Sequence, residues 1–180
     1  PALDHALSRS AGGGVNGRRY RVAHVITRLE LGGAQQNTLF CVENHDRHLF
    51  EVDLLAGRGG LLDDDALRIP DARVELLRWL KHSISPVMDL SALLRLRSHF
   101  RSRQIDLVHT HSSKAGILGR LAARLAGVPV VVHTVHGWSF NSTQPAPLRA
   151  TFVALERFAA TLSDRLVAVS SGNRREGLER

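Results

Sequence analysis

From Ile105 to Trp138 the chain reads as a strand, a polar turn, a helix, a stop and a second strand, and few folds accept that order. Ile105 to His109 reads as a short strand. Lys114 to Ala126 then carries Ile117, Leu118, Leu121 and Leu125 at helical spacing, the stripe expected to face a core. Gly127 and Pro129 supply the helix stop, and Val130 to Val135 begins again as a strand. Two strands separated by one helix must run parallel, and the crossover between them is right-handed.

The same alternation extends in both directions. Arg21 to Thr27 and Phe50 to Ala56 read as strands around a helix from Ala34 to Val42, and Arg73 to Leu77 as a shorter third strand. Pro86 closes the segment before it. Asp89 is the expected N-cap of a helix to about Arg103, with Leu90, Leu93, Leu94 and Phe100 toward the core. Pro147 opens a further helix with Leu148, Phe152, Leu155, Ala159 and Leu162 at helical spacing; Leu166 to Val169 is the sixth strand, and Ser170 starts a last helix. The pattern predicts an α/β fold: a Rossmann-like, doubly wound parallel sheet with helices on both faces, in the strand order 3-2-1-4-5-6. Residues 1–19, with Ala11-Gly12-Gly13-Gly14 and no periodicity, read as a disordered tail, and residues 20–180 as the folded domain.

A chain of 180 residues holds one domain with a sizeable core, and no apolar run approaches the ~18 residues that cross a bilayer. Cys41 is the single cysteine, so no internal disulfide can form and the default setting is cytoplasmic. The formal net charge of +7 comes from dispersed arginines; Lys81 and Lys114 are the only lysines. With 5% aromatics there are too few platforms for stacking bases, so nucleic acid is not an expected partner. A basic surface does suit diphosphate-bearing substrates or the anionic headgroups of a membrane.

Chemistry is expected where the strand ends meet, at the switch point between the first and fourth strands. Gly32 and Gly33 stand at the first strand-to-helix turn, either because the turn needs positive φ or because backbone must approach a ligand at a helix N-terminus. A dinucleotide is disfavoured, since no G-x-G-x-x-G run occurs and the second strand ends at Ala56-Gly57-Arg58 without a ribose-binding acid. Among the histidines, His24, His109 and His133 are assigned to the core, leaving His111 and His136 as the exposed pair. With no Cys or acidic cluster beside them, no metal site is expected.

Val25-Ile26-Thr27-Arg28-Leu29-Glu30-Leu31-Gly32-Gly33-Ala34-Gln35, Ile84-Ser85-Pro86, Asp106-Leu107-Val108-His109-Thr110-His111-Ser112, His133-Thr134-Val135-His136-Gly137 and Leu155-Glu156-Arg157 through Ser171 together resemble the N-terminal half of a family 4 (group 1) glycosyltransferase of GT-B fold. That resemblance covers about Arg21 to Gly177. It implies an acceptor-side domain of a retaining glycosyltransferase. Such an enzyme moves a sugar from a nucleotide-sugar donor to a saccharide or polyprenyl-diphosphate-linked acceptor, in surface polysaccharide synthesis at the inner membrane face, without a cofactor. It also implies that the donor-binding C-terminal domain lies beyond residue 180 and that residues 20–180 alone transfer nothing. By position, His136 is the catalytic histidine near the transferring sugar. Gly32, Gly33, His111, Ser112, Lys114, Gly137 and Trp138 are implied substrate contacts, with Ser113 either a contact or a helix cap. The readings weighed against this one are a non-catalytic sugar- or phosphate-binding module and a metal-dependent hydrolase.

Overall fold

The computed structural model describes residues 18–180. Six strands, β1 (Tyr20–Ile26), β2 (Phe50–Gly57), β3 (Ala72–Leu77), β4 (Leu107–His111), β5 (Val130–Val135) and β6 (Arg165–Ala168), form one sheet in the order β3-β2-β1-β4-β5-β6. Every pairing is parallel, with His24 opposite His109 across β1 and β4 and Thr110 opposite His133 across β4 and β5. The sheet order is the one the alternation predicts, and the switch point falls between β1 and β4.

Helices α1 (Gly33–Glu43), α2 (Asp63–Leu67), α3 (Pro86–Ser102), α4 (Ser113–Ala126) and α5 (Ala146–Thr161) fill the crossovers, and α6 (Ser171–Leu178) follows β6. One face of the sheet buries Ala23, Val25, Leu55, Val108 and Val131 with Ala92, Leu96 and Phe100 of α3 and Ala115, Ala122 and Ala123 of α4. The other buries Ile26, Val52, Leu54 and Ala56 with Val42 of α1 and Ala66 of α2. The period-two alternation of β1 and β2 separates these two clusters.

Several expectations are corrected. The short α2 is absent from the sequence reading because three consecutive aspartates, Asp63 to Asp65, mask its single buried residue, Ala66. Helix α3 starts at Pro86 itself, in the first turn where its missing N–H leaves nothing unpaired; Asp89 is not the cap but accepts the Ser85 N–H at 3.1 Å. Its core face is Ala92, Leu96, His99 and Phe100, while Leu90 and Leu94 are exposed. Helix α4 buries its small residues more deeply than its expected stripe, of which Leu118 packs partly buried against the core and Leu125 is exposed, because Gly116 and Gly119 bring the helix close to the sheet: a Cβ at Gly116 would sit 2.7 Å from His133 Cε1 and one at Gly119 2.7 Å from Thr110 Cγ2. On α5, Glu156 and Ala159 are buried, and Leu148 and Leu155 are exposed. The expected tail falls on residues 1–17, outside the described residues, and on Arg18 and Arg19. These two already belong to the fold, since Arg18 grips Asp106 through two nitrogens at 2.7 and 2.8 Å.

Candidate functional site at the carboxyl edge of the sheet

Three loops meet at the carboxyl ends of β1, β4 and β5, and side chains stitch each to the next. Thr27, at the end of β1, shares a 2.8 Å hydrogen bond with the Ser112 hydroxyl, and the Thr27 N–H donates to the same oxygen at 3.2 Å. Thr27 Oγ1 also accepts the Ala115 N–H at 3.1 Å, so a residue of the neighbouring strand, and not Ser113, caps α4. Ser112 is held at φ 62°, ψ 151°, a conformation natural to glycine; the two contacts with Thr27 keep a side-chain-bearing residue there. From β4 to β5 the tie is His111 Nδ1 to His136 Nε2 at 3.2 Å.

Gly32 and Gly33 open α1. Gly32 is extended, with φ −169°, and the only positive-φ glycines among the described residues are Gly59 and Gly127. The turn therefore does not require glycine for its dihedrals. A Cβ at Gly33 would meet nothing within 4 Å, and one at Gly32 would meet only the flexible Gln35 side chain. The first amides of α1 receive no side-chain cap, so donors and the positive end of the helix dipole face open space.

The histidines are arranged differently from their expected burial. His111 is fully buried, not exposed, because its side of β4 turns onto the face that holds His24. His136 is half-buried and, among the described residues, no hydrogen bond engages its Nδ1. Burial lowers the affinity of these rings for a second proton. His24 and His111 are held well below the ordinary histidine range, His109 at about 4 and His133 at about 3, and His136 is lowered by the same cause. His24, His109 and His111 form a cluster whose nitrogen atoms lie within 4.8 Å of one another. Both nitrogens of His24 and of His111 are already engaged with other imidazoles, His109 Nε2 lies 2.7 Å from Thr134 Oγ1, and no carboxylate joins the cluster.

Lys114 Nζ pairs with Asp89 Oδ1 at 2.5 Å and donates to the Ser83 carbonyl, binding α4 to the start of α3. Gly137 is exposed beside His136, with room for a side chain around it. Trp138 stacks on Phe140 with 5.3 Å between centroids, and its indole N–H donates to the Asn173 carbonyl at 2.9 Å. Its ring thus fixes the loop against α6. The same loop is held from below by a buried ion pair, Arg120 to Glu156 at 3.2 Å, whose second carboxylate oxygen accepts from Ser139 Oγ at 3.1 Å. Thr27, His45, Arg120 and Glu156 were not singled out from sequence.

Residues 32–179 match the glycosyl transferase 4-like domain. The chain belongs to that family. It is 39% identical over 152 residues to the UDP-Gal:alpha-D-GlcNAc-diphosphoundecaprenol alpha-1,3-galactosyltransferase of Escherichia coli, covering 84% of this chain and 38% of that protein. A putative glycosyltransferase, EpsD, of Bacillus subtilis is 29% identical over 97 residues, 51% of this chain and 25% of its own length. The chain therefore spans well under half the length of either relative. Solved structures of similar fold include sucrose-phosphate synthase from Thermosynechococcus elongatus, with TM-score 0.69 and 16% identity over 90% of this chain and 45% of that one. A glycosyltransferase from Rickettsia africae aligns with TM-score 0.65 and 17% identity over 90% and 40%. A putative UDP-N-acetylglucosamine 2-epimerase from Listeria monocytogenes aligns equally well, with TM-score 0.65 and 14% identity over 89% and 42%. Transferases and epimerases share this glycosyltransferase-type Rossmann-like domain, so the fold alone does not choose between their reactions.

Proposed function

We propose that this chain is the acceptor-side half of a retaining glycosyltransferase that passes a sugar from a nucleotide-sugar donor to a polyprenyl-diphosphate-linked acceptor in surface polysaccharide synthesis. The observation that carries the reading is the joined edge itself: Thr27 to Ser112, His111 to His136, and beside them the uncapped, unobstructed amides at Gly32 and Gly33. Glycosyl transfer separates a diphosphate, which gains negative charge, from a sugar that gains oxocarbenium character. It needs hydrogen-bond donors aimed at oxygens more than it needs a strong base. The amides at the start of α1 serve the diphosphate oxygens, and His136 Nδ1 orients a sugar hydroxyl. Ser112, Lys114, Gly137 and Trp138 shape the acceptor pocket around them, and the chemistry uses no metal.

A lipid-linked acceptor calls for contact with a membrane surface. No helix among the described residues is long and apolar enough to cross a membrane. Helix α3 instead presents Val87, Leu90 and Leu94, exposed by 76%, 56% and 53%, on one face, with Arg97 and Arg101 continuing that face toward its end. An apolar stripe running into arginines fits peripheral attachment to anionic lipid.

Transfer by the full-length gene product from UDP-sugars to a GlcNAc-diphosphate lipid tests the reading. The expected result is turnover indifferent to chelator and reduced at least about 100-fold by His136→Ala, with an unchanged denaturation midpoint, while the 180-residue chain alone transfers nothing. Full turnover by His136→Ala removes the histidine from the site; no transfer to any diphosphate lipid overturns the function. Sedimentation with anionic liposomes, lost in Leu90→Glu/Leu94→Glu and at high salt, tests the membrane contact.

A further inference from the structure

Four imidazoles lie end to end along the face of the sheet covered by α1: His45 Nε2 to His24 Nε2 at 2.9 Å, His24 Nδ1 to His111 Nε2 at 3.1 Å, and His111 Nδ1 to His136 Nε2 at 3.2 Å. His45 follows α1 at the amino edge of the sheet, and His136 stands at the carboxyl edge beside the proposed acceptor. The two inner rings, His24 and His111, are buried, and each uses both of its nitrogens within the string. Neither terminal Nδ1, on His45 or on His136, has a hydrogen-bond partner among the described residues. We propose that His45, His24, His111 and His136 form a proton-conducting string that sets whether His136 offers the substrate a hydrogen-bond donor or an acceptor.

A neutral imidazole has one N–H and one lone pair, so a buried string of such rings satisfies every link in only two ways. In one state His45 Nε2–H donates to His24, His24 Nδ1–H to His111 and His111 Nδ1–H to His136 Nε2, which leaves His136 Nδ1–H facing outward as a donor. In the other every proton sits on the opposite side of its link, and His136 Nδ1 faces outward with its lone pair. A hydroxyl proton taken up at His136 Nδ1 pushes the Nε2 proton to His111 Nδ1. The His111 Nε2 proton passes to His24 Nδ1, the His24 Nε2 proton to His45 Nε2, and the His45 Nδ1 proton leaves to water. One proton enters, one departs, and no ring retains an extra charge. Because no carboxylate interrupts the string, no fixed anion traps the proton on the way. The same engaged nitrogens are why the geometry points to a string and not to a metal held by His24, His109 and His111. His109 lies 4.2 Å from His111 between ring centroids, but its Nε2 contacts Thr134, so it flanks the string without joining it.

The role in substrate handling rests on the glycosyltransferase reading; the coupling of the four rings does not. Long-range proton–nitrogen correlation spectra of the chain labelled with ¹⁵N in its histidine rings distinguish Nδ1–H from Nε2–H tautomers. His136 is expected to hold one dominant tautomer, and His45→Ala, two rings removed from it, shifts the tautomer ratio of His136 several-fold, with added imidazole restoring it. His48→Ala, an exposed histidine outside the string, leaves the ratio unchanged. An unresponsive His136 ring in folded His45→Ala, or an equal response to His48→Ala, overturns the string. Should His45→Ala fail to fold, His45→Gln keeps a donor and an acceptor but cannot pass a proton, and the same shift is read there. In the full-length enzyme, His45→Ala is expected to lower kcat about tenfold with KM unchanged and with rescue by imidazole. Failure of transfer by the parent enzyme overturns the function alone, because the tautomer measurement requires no turnover.

Discussion

Two buried polar clusters, one around His99 and one around His24 and His111, occupy opposite faces of the same sheet, and they are built on different principles. On the face covered by α3, His99 lies between Asp53 Oδ2 at 2.8 Å and Glu75 Oε2 at 3.1 Å, and Arg103 reaches Asp53 at 3.2 Å. Burial pushes the Asp53 carboxyl up, but the hydrogen bonds from His99 and Arg103 outweigh it and hold the group below the usual carboxylate range. On the face covered by α1, His24 and His111 have only other imidazoles for partners and stay neutral. A closed set of opposite charges has no open end and fastens α3 to β2 and β3. A neutral set with free terminal nitrogens can exchange protons, and it is the one that reaches the strand ends.

That contrast can be broken most directly at Asp53. Asp53→Ala leaves His99 of α3 and Arg103 at its end facing an empty site on β2, and the expected loss is about 3–5 kcal/mol of stability, read as a drop in the urea midpoint. A midpoint within error of the parent would mean that the ionic cluster fastens nothing.

Acid should affect the other cluster next. His24, His109 and His111 of that cluster, and His133 on the face covered by α4, are folded with proton affinities below those of the unfolded chain, where histidine titrates near 6.5. Between that value and the folded ones the unfolded state binds more protons, so stability rises with pH in this window and is lost as pH falls below about 6.5. Each ring contributes up to about 1.4 kcal/mol per pH unit. Urea midpoints at pH 7.5, 6.5 and 5.5 would show the decline, and a flat profile would contradict neutral burial. Asp53 has the opposite linkage partner but the same direction: its contribution is present above its ordinary value near 3.8 and disappears in stronger acid.

The smallest expected effect separates two glycines. Gly116→Ala forces a Cβ to within 2.7 Å of His133 and is expected to destabilise by about 1–3 kcal/mol. Gly33→Ala adds its methyl to open space and should change stability by less than about 0.5 kcal/mol, while weakening acceptor or diphosphate binding in the full-length enzyme. Equal binding by Gly33→Ala would return that glycine to the status of an ordinary turn residue.

Much of the site was legible in order but not in contact. Gly32-Gly33, Ser112 and His136 all fall on the carboxyl edge: Ser112 and His136 directly follow β4 and β5, and Gly32-Gly33 close the loop that leads from β1 into α1. The resemblance implies Trp138 as a substrate contact, but only the structure shows that its ring stacks on Phe140 and that its N–H donates to the Asn173 carbonyl. Leu90 and Leu94 were assigned to the core on periodicity, yet Ala92 and Leu96 carry an equivalent period and are the residues that face inward. Two apolar stripes on one helix look alike until a sheet chooses between them.

The sequence by itself determined the parallel α/β order, the helix stop at Gly127 and the edge on which chemistry would gather, because apolar period, glycine and proline act over a few neighbouring residues. Only the tertiary structure decided which histidines meet. His24, His45, His111 and His136 lie on different elements, and their rings come within hydrogen-bond reach through strand register and the seating of α1, terms set by contacts far apart in the chain.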